Sequence, residues 1–324
     1  MQKSDVIAIT GAAGFIGSYL CGYLNRLGYD QLILVDDFSR ADKLANLEGK
    51  KLISKIERSE FLASAQSLNI KYIFHLGART DTTEMNYGIH KTLNLDYTKD
   101  IWEFCTANNI PVVYASSAAT YGNGEYGYTD SHDVVKDLQP LNPYGRSKNE
   151  FDIWALEQTA TPPFWAGVKF FNVYGPNEYH KGRMASVIFH AYNQIKDTGS
   201  VKLFRSHNNN FKDGEQLRDF IFVDDVASIC TWLMQEQPTS GLYNVGTGTA
   251  RTFKDLVTAI FNTLQLPVNI QYVDTPLDIR DKYQYFTEAN MNKLRGSGYD
   301  KSFNTLEQGI SAYLSQFLNS NARF

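Results

Sequence analysis

Three glycines placed directly after a short apolar run constrain this chain more than any other feature. Val6-Ile7-Ala8-Ile9-Thr10 reads as a strand, and Thr10-Gly11-Ala12-Ala13-Gly14-Phe15-Ile16-Gly17-Ser18 leads into helical spacing over Ile16–Leu27. Glycine at 11 permits a tight turn, Gly14 lets the backbone approach a pyrophosphate, and Gly17 lets helix and strand pack closely. The free N–H groups at the helix start, around Phe15 and Ile16, then meet phosphate charge. Asp36 stands 19 residues past Gly17 at the end of a second apolar run, with Asp37 beside it. A carboxylate there takes adenosine ribose hydroxyls and disfavours a 2′-phosphate. Arg40 and Lys43 follow within one turn, and either would balance such a phosphate. Glycines alone say little, but strand, turn, helix and acid in this order point to a bound dinucleotide.

The same rhythm continues through the first half. Gln31–Val35, Tyr72–Leu76, Val112–Ala115, Gly167–Phe171 and Leu242–Val245 read as further strands, mostly continuous apolar runs suited to a sheet covered on both faces. Thr98–Asn108 carries helical spacing between two of them. The expectation is an α/β chain with a doubly wound parallel-sheet Rossmann domain and a smaller α/β substrate lobe. Beyond Asn172 the rhythm loosens: Gly175–Asp219 is polar, with Asn208-Asn209-Asn210 and Lys212-Asp213-Gly214 as loop signals. Gly246–Tyr285 is likewise irregular, with prolines at 267 and 276. The expected division gives 1–172 to the dinucleotide, returns 220–247 to it, and leaves 173–219 and 248–324 mainly to substrate.

Tyr144-Gly145-Arg146-Ser147-Lys148 places a phenol and an amine at i and i+4 on one helix face. Free tyrosine, with a pKa of about 10, is a poor base near neutrality. A nearby ammonium, and a cationic nicotinamide, bring its proton exchange within reach. Asn142-Pro143 presets the helix start. Upstream, Tyr114-Ala115-Ser116-Ser117 ends a strand, where hydroxyls can meet a ligand. Ser117 is the expected substrate contact, and Ser116 the serine expected to satisfy turn backbone.

Composition narrows the partners. A net charge of −4 gives no reason to expect nucleic acid or an anionic membrane. Cys21, Cys105 and Cys230 are far apart with no CxxC pair, so buried thiols are expected rather than disulfides or zinc. The six histidines form no metal-ligand spacing, so no metal is expected; His75, after a strand, reads as structural. No run reaches the roughly 18 apolar residues of a membrane helix, and no export signal precedes Val6, so a soluble cytoplasmic protein is expected.

Together Gly11–Gly17, His75-Leu76-Gly77-Ala78, Ser117 and Tyr144-x-x-x-Lys148 resemble the extended short-chain dehydrogenase/reductase superfamily, and within it the sugar-nucleotide epimerases. The likeness runs nearly end to end, through Tyr114–Gly122, Phe171–Pro176, Arg218-Asp219-Phe220 and Gly298–Lys301. His180-Lys181-Gly182-Arg183-Met184-Ala185-Ser186-Val187 is its most diagnostic part and resembles epimerases acting on an ADP-linked heptose.

That resemblance implies NADP as cofactor, with NAD the alternative. Its contacts would be Gly11, Gly14, Phe15, Ile16, Gly17, Asp36, Asp37, Lys43, Arg58, Leu76, Gly77, Ala78, Arg79, Thr80, Asn94 and Val173, together with Tyr144, Lys148 and Lys181. A nucleotide sugar would be held by Ser117, Asn172, Arg183, His190, Phe204, Arg205, Ser206, His207, Arg218 and Tyr283. The chain departs from the family at Arg183, where a serine often stands, and at Lys212–Leu217, which lengthens the loop before Arg218. A homo-oligomer, a pentamer in the family, is also implied.

The implied reaction inverts carbon 6 of the heptose by transient oxidation. A proton must then be handled from two geometries, so two bases are sensible, and the resemblance supplies Tyr144 and Lys181. A 4,6-dehydratase would need a carboxylate next to Ser117, where Ala118, Ala119 and Thr120 follow instead. A UDP-hexose 4-epimerase is the enzymatic alternative. A non-catalytic dinucleotide sensor is the alternative of another class, and could dispense with Tyr144, Lys148 and Ser117.

Overall fold

The apolar runs assemble into one seven-stranded sheet in which every pairing is parallel. The computed structural model describes residues 1–280 and 283–324. Chain order begins with β1 (Val6–Thr10), α1 (Phe15–Arg26), β2 (Leu32–Asp36), β3 (Ser54–Glu57) and β4 (Ile70–His75). It continues with α2 (Tyr97–Ala107), β5 (Val112–Ser117), α3 (Pro143–Glu157) and β6 (Trp165–Phe170). The spatial order is β3-β2-β1-β4-β5-β6, with a last strand, β10 (Gly241–Val245), outside β6. Winding reverses between β1 and β4, and ligands sit outside the strand ends at such a point. Every residue of β2 and β5 is buried, as strands covered on both faces require.

The edge strand β3 was not anticipated. Ser54-Lys55-Ile56-Glu57 has a single apolar residue, and a polar edge is how sheets avoid pairing with neighbours.

After β6 the chain forms two small sheets. β7 (Asn172–Tyr174), α4 (Val187–Thr198), β8 (Val201–Phe204), β9 (Leu217–Phe222) and α5 (Val223–Glu236) come first. They are followed by β10 (Gly241–Val245), β11 (Ala250–Thr252), α6 (Phe253–Thr263), β12 (Ile270–Val273) and α7 (Leu306–Tyr313). β9 lies between β7 and β11, while β8 pairs with β12. Thus Phe220–Phe222 belong to a small sheet, whereas α5 packs on α1 and β10 joins the large sheet beside β6. Tyr19 on α1 donates to Asp224 on α5 at 2.8 Å, fixing that packing.

All three cysteines are free and buried on helices, where burial pushes the Cys21 and Cys230 thiols up to about 12. Among the described residues no helix is long and apolar enough to cross a membrane.

Candidate active site

A cavity of about 430 Å³ opens where the sheet order reverses. Gly11, Gly14, Phe15, Ile16 and Gly17 form one wall, and Leu76, Gly77, Ala78, Arg79 and Thr80 another. Asp36, Asp37, Arg40, Lys43 and Arg58 line its far end. A Cβ on Gly17 would lie 2.2 Å from the Gly11 carbonyl oxygen, so only glycine lets α1 start this close to the turn. The first turn of α1 has no side-chain cap and no acidic residue. Its free N–H groups therefore suit a phosphate group, and the lining fits a dinucleotide.

Asp36, expected to take ribose hydroxyls, also has partners within the protein. Its carboxylate accepts from the backbone N–H of Ala13 (2.8 Å) and Asp37 (2.7 Å) and from Lys43 Nζ (2.6 Å). The acid is thus neutralised, and Lys43 is engaged rather than free for a phosphate.

Asn94, expected to touch the cofactor, stands behind the cavity wall. It is fully buried in a π-helical turn, Lys91–Asp96, and lines neither of the site's two cavities. Its amide accepts from Arg79 N (2.7 Å) and donates to Arg79 O (3.1 Å), so it holds the wall that the cofactor would touch. His75 supports the same wall. Thr98 donates to Asn94 O, so it accepts from His75 Nε2, leaving Nδ1 to accept from Thr10 Oγ1 at 2.7 Å. Thr10 Oγ1 in turn accepts from Gly77 N at 3.1 Å. Burial brings His75 down to about 3, so it stays neutral, in the structural role expected of it.

A second cavity of about 300 Å³ shares Phe15, Ile16, Leu76, Ala78, Thr80, Lys181 and Met184 with the first. Ser117, Tyr144, Asn172 and Val173 line it. Tyr144 starts α3 behind Pro143, where Asn142 caps the helix by accepting from Gly145 N at 2.8 Å. Burial pushes the Tyr144 phenol above its ordinary value, and a hydrogen bond with Ser117 opposes that. Lys148 lies beneath, donating to Ala115 O at 2.8 Å; burial brings its amine down to about 8, with Asp152 opposing. Ser117 faces the cavity and also accepts the turn N–H of Ala119 (3.1 Å), whereas Ser116, expected to satisfy turn backbone, donates to Asp152 (2.6 Å).

Lys181 sits on a short helical segment, Tyr179–Met184, interrupted at Gly182. There φ is 53°, a left-handed conformation that favours glycine. Lys181 Nζ lies 5.4 Å from the Phe15 ring, at the junction of the cavities. Burial lowers its amine, while the Glu178 carboxylate raises it. Residues 7–246 match the model of the NAD dependent epimerase/dehydratase family.

The chain belongs to that family.

Among its relatives, the ADP-L-glycero-D-manno-heptose-6-epimerase of Fusobacterium nucleatum is 45% identical, over 97% of this chain and 98% of that protein. A protein of the same name from Nitratidesulfovibrio vulgaris is 42% identical over 96% and 97%. The crystal structure of the Helicobacter pylori ADP-L-glycero-D-manno-heptose-6-epimerase superposes with a TM-score of 0.83 at 29% identity, covering 97% and 96% of the two chains.

Not every expected residue of this epimerase-family site reaches the cavities. Arg183 is exposed, with its guanidinium 3.7 Å from Asp81, and His190 lines neither cavity. Phe204, Arg218 and Tyr283 instead cluster together: the Tyr283 ring lies 6.1 Å from Phe204 and 5.6 Å from the Arg218 guanidinium. Arg205 is exposed and reaches Tyr272 O, Ser206 is tied to Asp213, and His207 lines an open pocket with Asn208–Asn210. Phe220, on the same face of β9 as Arg218, does line the second cavity. The Arg218 cluster thus lies one step further along that strand.

Of three further supports, only Asp152 carries a sequence clue. Asn46, after β2, donates to Ala13 O (3.1 Å) and to Asn177 O (3.0 Å), tying the glycine turn to the Lys181 segment. Glu178, fully buried, accepts from Ser186 Oγ at 2.7 Å and so anchors the start of α4 behind Lys181. Asp152 stands one turn beyond Lys148 on the same helix face, which was the available clue.

Proposed function

We propose that this chain inverts carbon 6 of ADP-D-glycero-D-manno-heptose to give ADP-L-glycero-D-manno-heptose, by transient oxidation of the carbon. The observation that carries the reading is the position of Lys181, which lines both the glycine-turn cavity and the cavity of Tyr144 and Ser117. When bound, a nicotinamide dinucleotide would supply an acceptor that takes a hydride and gives the same one back.

The chain's own residues then have to hold the sugar and move protons. Ser117 polarises the substrate hydroxyl, and Tyr144 exchanges its proton. Lys148, near 8, stays protonated at neutrality, and its charge favours the phenolate that burial opposes. Lys181 serves the second geometry; burial brings its amine toward the neutral form that a base requires. Arg218 and Tyr283 are the reading's candidates for the nucleotide end. The division of labour is 1–172 with 220–247 for the dinucleotide and the remainder mainly for the sugar, in a cytoplasmic homo-oligomer.

NADP is the proposed cofactor. Lys43 already neutralises Asp36, so the acid that would disfavour a 2′-phosphate is masked, and Arg40 and Arg58 line the same end of the cavity. Mass spectrometry of cofactor released from purified protein should find NADP; NAD alone would overturn that choice.

No aspartate or glutamate is among the described residues lining the second cavity, which supports inversion over elimination of water. A UDP-hexose 4-epimerase has no comparable support, since the relatives above carry another name. Turnover in heavy water tests the mechanism. The inverted carbon should stay free of deuterium, because its hydrogen never reaches solvent. Deuterium at that carbon would sink transient oxidation and indicate deprotonation instead.

A further inference from the structure

Beneath Tyr144 lies an ion pair that the proton chemistry does not use. Asp152 on α3 and Lys169 on β6 are 2.7 Å apart, and both side chains are wholly buried. A buried pair of this kind brings little net stability, because desolvation offsets the attraction, so its placement calls for another reason. Its contacts supply one. Asp152 Oδ2 accepts from Ser116 Oγ at 2.6 Å. Lys169 Nζ donates to Thr120 Oγ1 at 2.8 Å, and Thr120 Oγ1 donates to Ser117 O at 2.8 Å. Lys148 holds Ala115 O from the same side. Three successive residues at the end of β5 are therefore each tied to one of three buried charges.

We propose that Asp152 and Lys169 form a positioning pair that clamps Ser117 from both sides and sets the charge balance beside Lys148 under Tyr144. This rests on the epimerase reading of the same site. Lys169 lies directly across from Ser116 in the strand register, so its ammonium reaches both Asp152 and Thr120 without a loop between. The groups facing the pair are Lys148 and Tyr144 from its own helix, Tyr114 from β5, and Tyr121, Asp130 and His132 beyond β5. Tyr114 donates to Asp152 Oδ1 at 3.0 Å. With the pair intact the Asp152 carboxylate raises the Lys148 amine against burial, and the Lys169 ammonium tempers that pull. Remove the carboxylate, and an uncompensated ammonium faces Lys148; remove the ammonium, and a bare carboxylate does.

Opposite signs make the test specific. Lys148 titration is read, without substrate, from the pH dependence of trace acetylation of its peptide by mass spectrometry. Asp152→Asn should move the Lys148 midpoint down and Lys169→Met should move it up, while kcat falls roughly tenfold to a hundredfold in each. The double variant removes both charges, is the one expected to fold best, and should place the Lys148 midpoint between Asp152→Asn and the parent yet keep the kcat loss, since Ser117 has lost its clamp. Shifts in the same direction, or a folded double variant with parental kcat, would overturn the proposal. A parent protein that does not invert the sugar at all would sink the epimerase reading, while the Lys148 shifts still judge the pair.

Discussion

Replacing Lys181 by methionine is expected to lower epimerase turnover by about 10²–10⁴-fold, the range that one positioned acid or base contributes. Methionine keeps the unbranched stem that packs near Phe15 and Met184 but lacks the amine. Bound cofactor should remain at the parental level, because the glycine turn, the first turn of α1 and the Asp36 end are untouched. The prediction separates two readings of a lysine in a polar loop. A solvated charge would leave turnover within a few-fold, and that result would sink the two-base mechanism. Its place argues for the larger effect: a half-buried amine at the junction of two cavities is shifted toward its neutral, basic form. Tyr144→Phe should cost a similar factor, because neither base can reach the geometry served by the other.

How much of this was legible in the sequence depended on whether a residue's role was local. The glycine turn, the Tyr144–Lys148 spacing and six strands could be read because period and spacing are short-range properties. β3 escaped because an edge strand needs little apolar content, and β8, β9, β11 and β12 because their pairings join distant segments. Residue type and position do not foretell long-range partners. Asp36 accepts from Ala13, Asn94 from Arg79, and Ser116 donates to Asp152, each across more than ten residues of chain. Lys169 was the clearest overlooked signal. A lysine inside an otherwise apolar strand is almost never buried unless paired, so it foretold a partner such as Asp152.

Asp219 shows the same gap and carries the largest stability effect expected here. Arg218-Asp219-Phe220 drew notice as a motif, with Arg218 the residue of interest. Yet Asp219 is fully buried and faces away from Arg218. It accepts from Thr247 N (2.8 Å), Thr247 Oγ1 (2.7 Å), Gly248 N (2.9 Å) and Ala289 N (3.0 Å), pinning two distant segments to β9. Burial raises its carboxyl above the usual range despite those four bonds, so desolvation outweighs them. The carboxylate's own net worth is therefore small, and the cost of losing it lies in the donor left behind. Asp219→Asn keeps the shape, but even with its NH₂ turned toward the Thr247 hydroxyl, which can rotate to accept, it orphans the Thr247 N–H. One orphaned buried donor at about 1–3 kcal/mol predicts a loss of about 2 kcal/mol. Thermal or denaturant unfolding would measure it, and a variant as stable as the parent would show that the Thr247 and Ala289 segments are held by something else. Because Phe220 lines the second cavity and Arg218 precedes Asp219 on the same strand, turnover should fall with stability, in contrast to Lys181→Met, where only turnover falls.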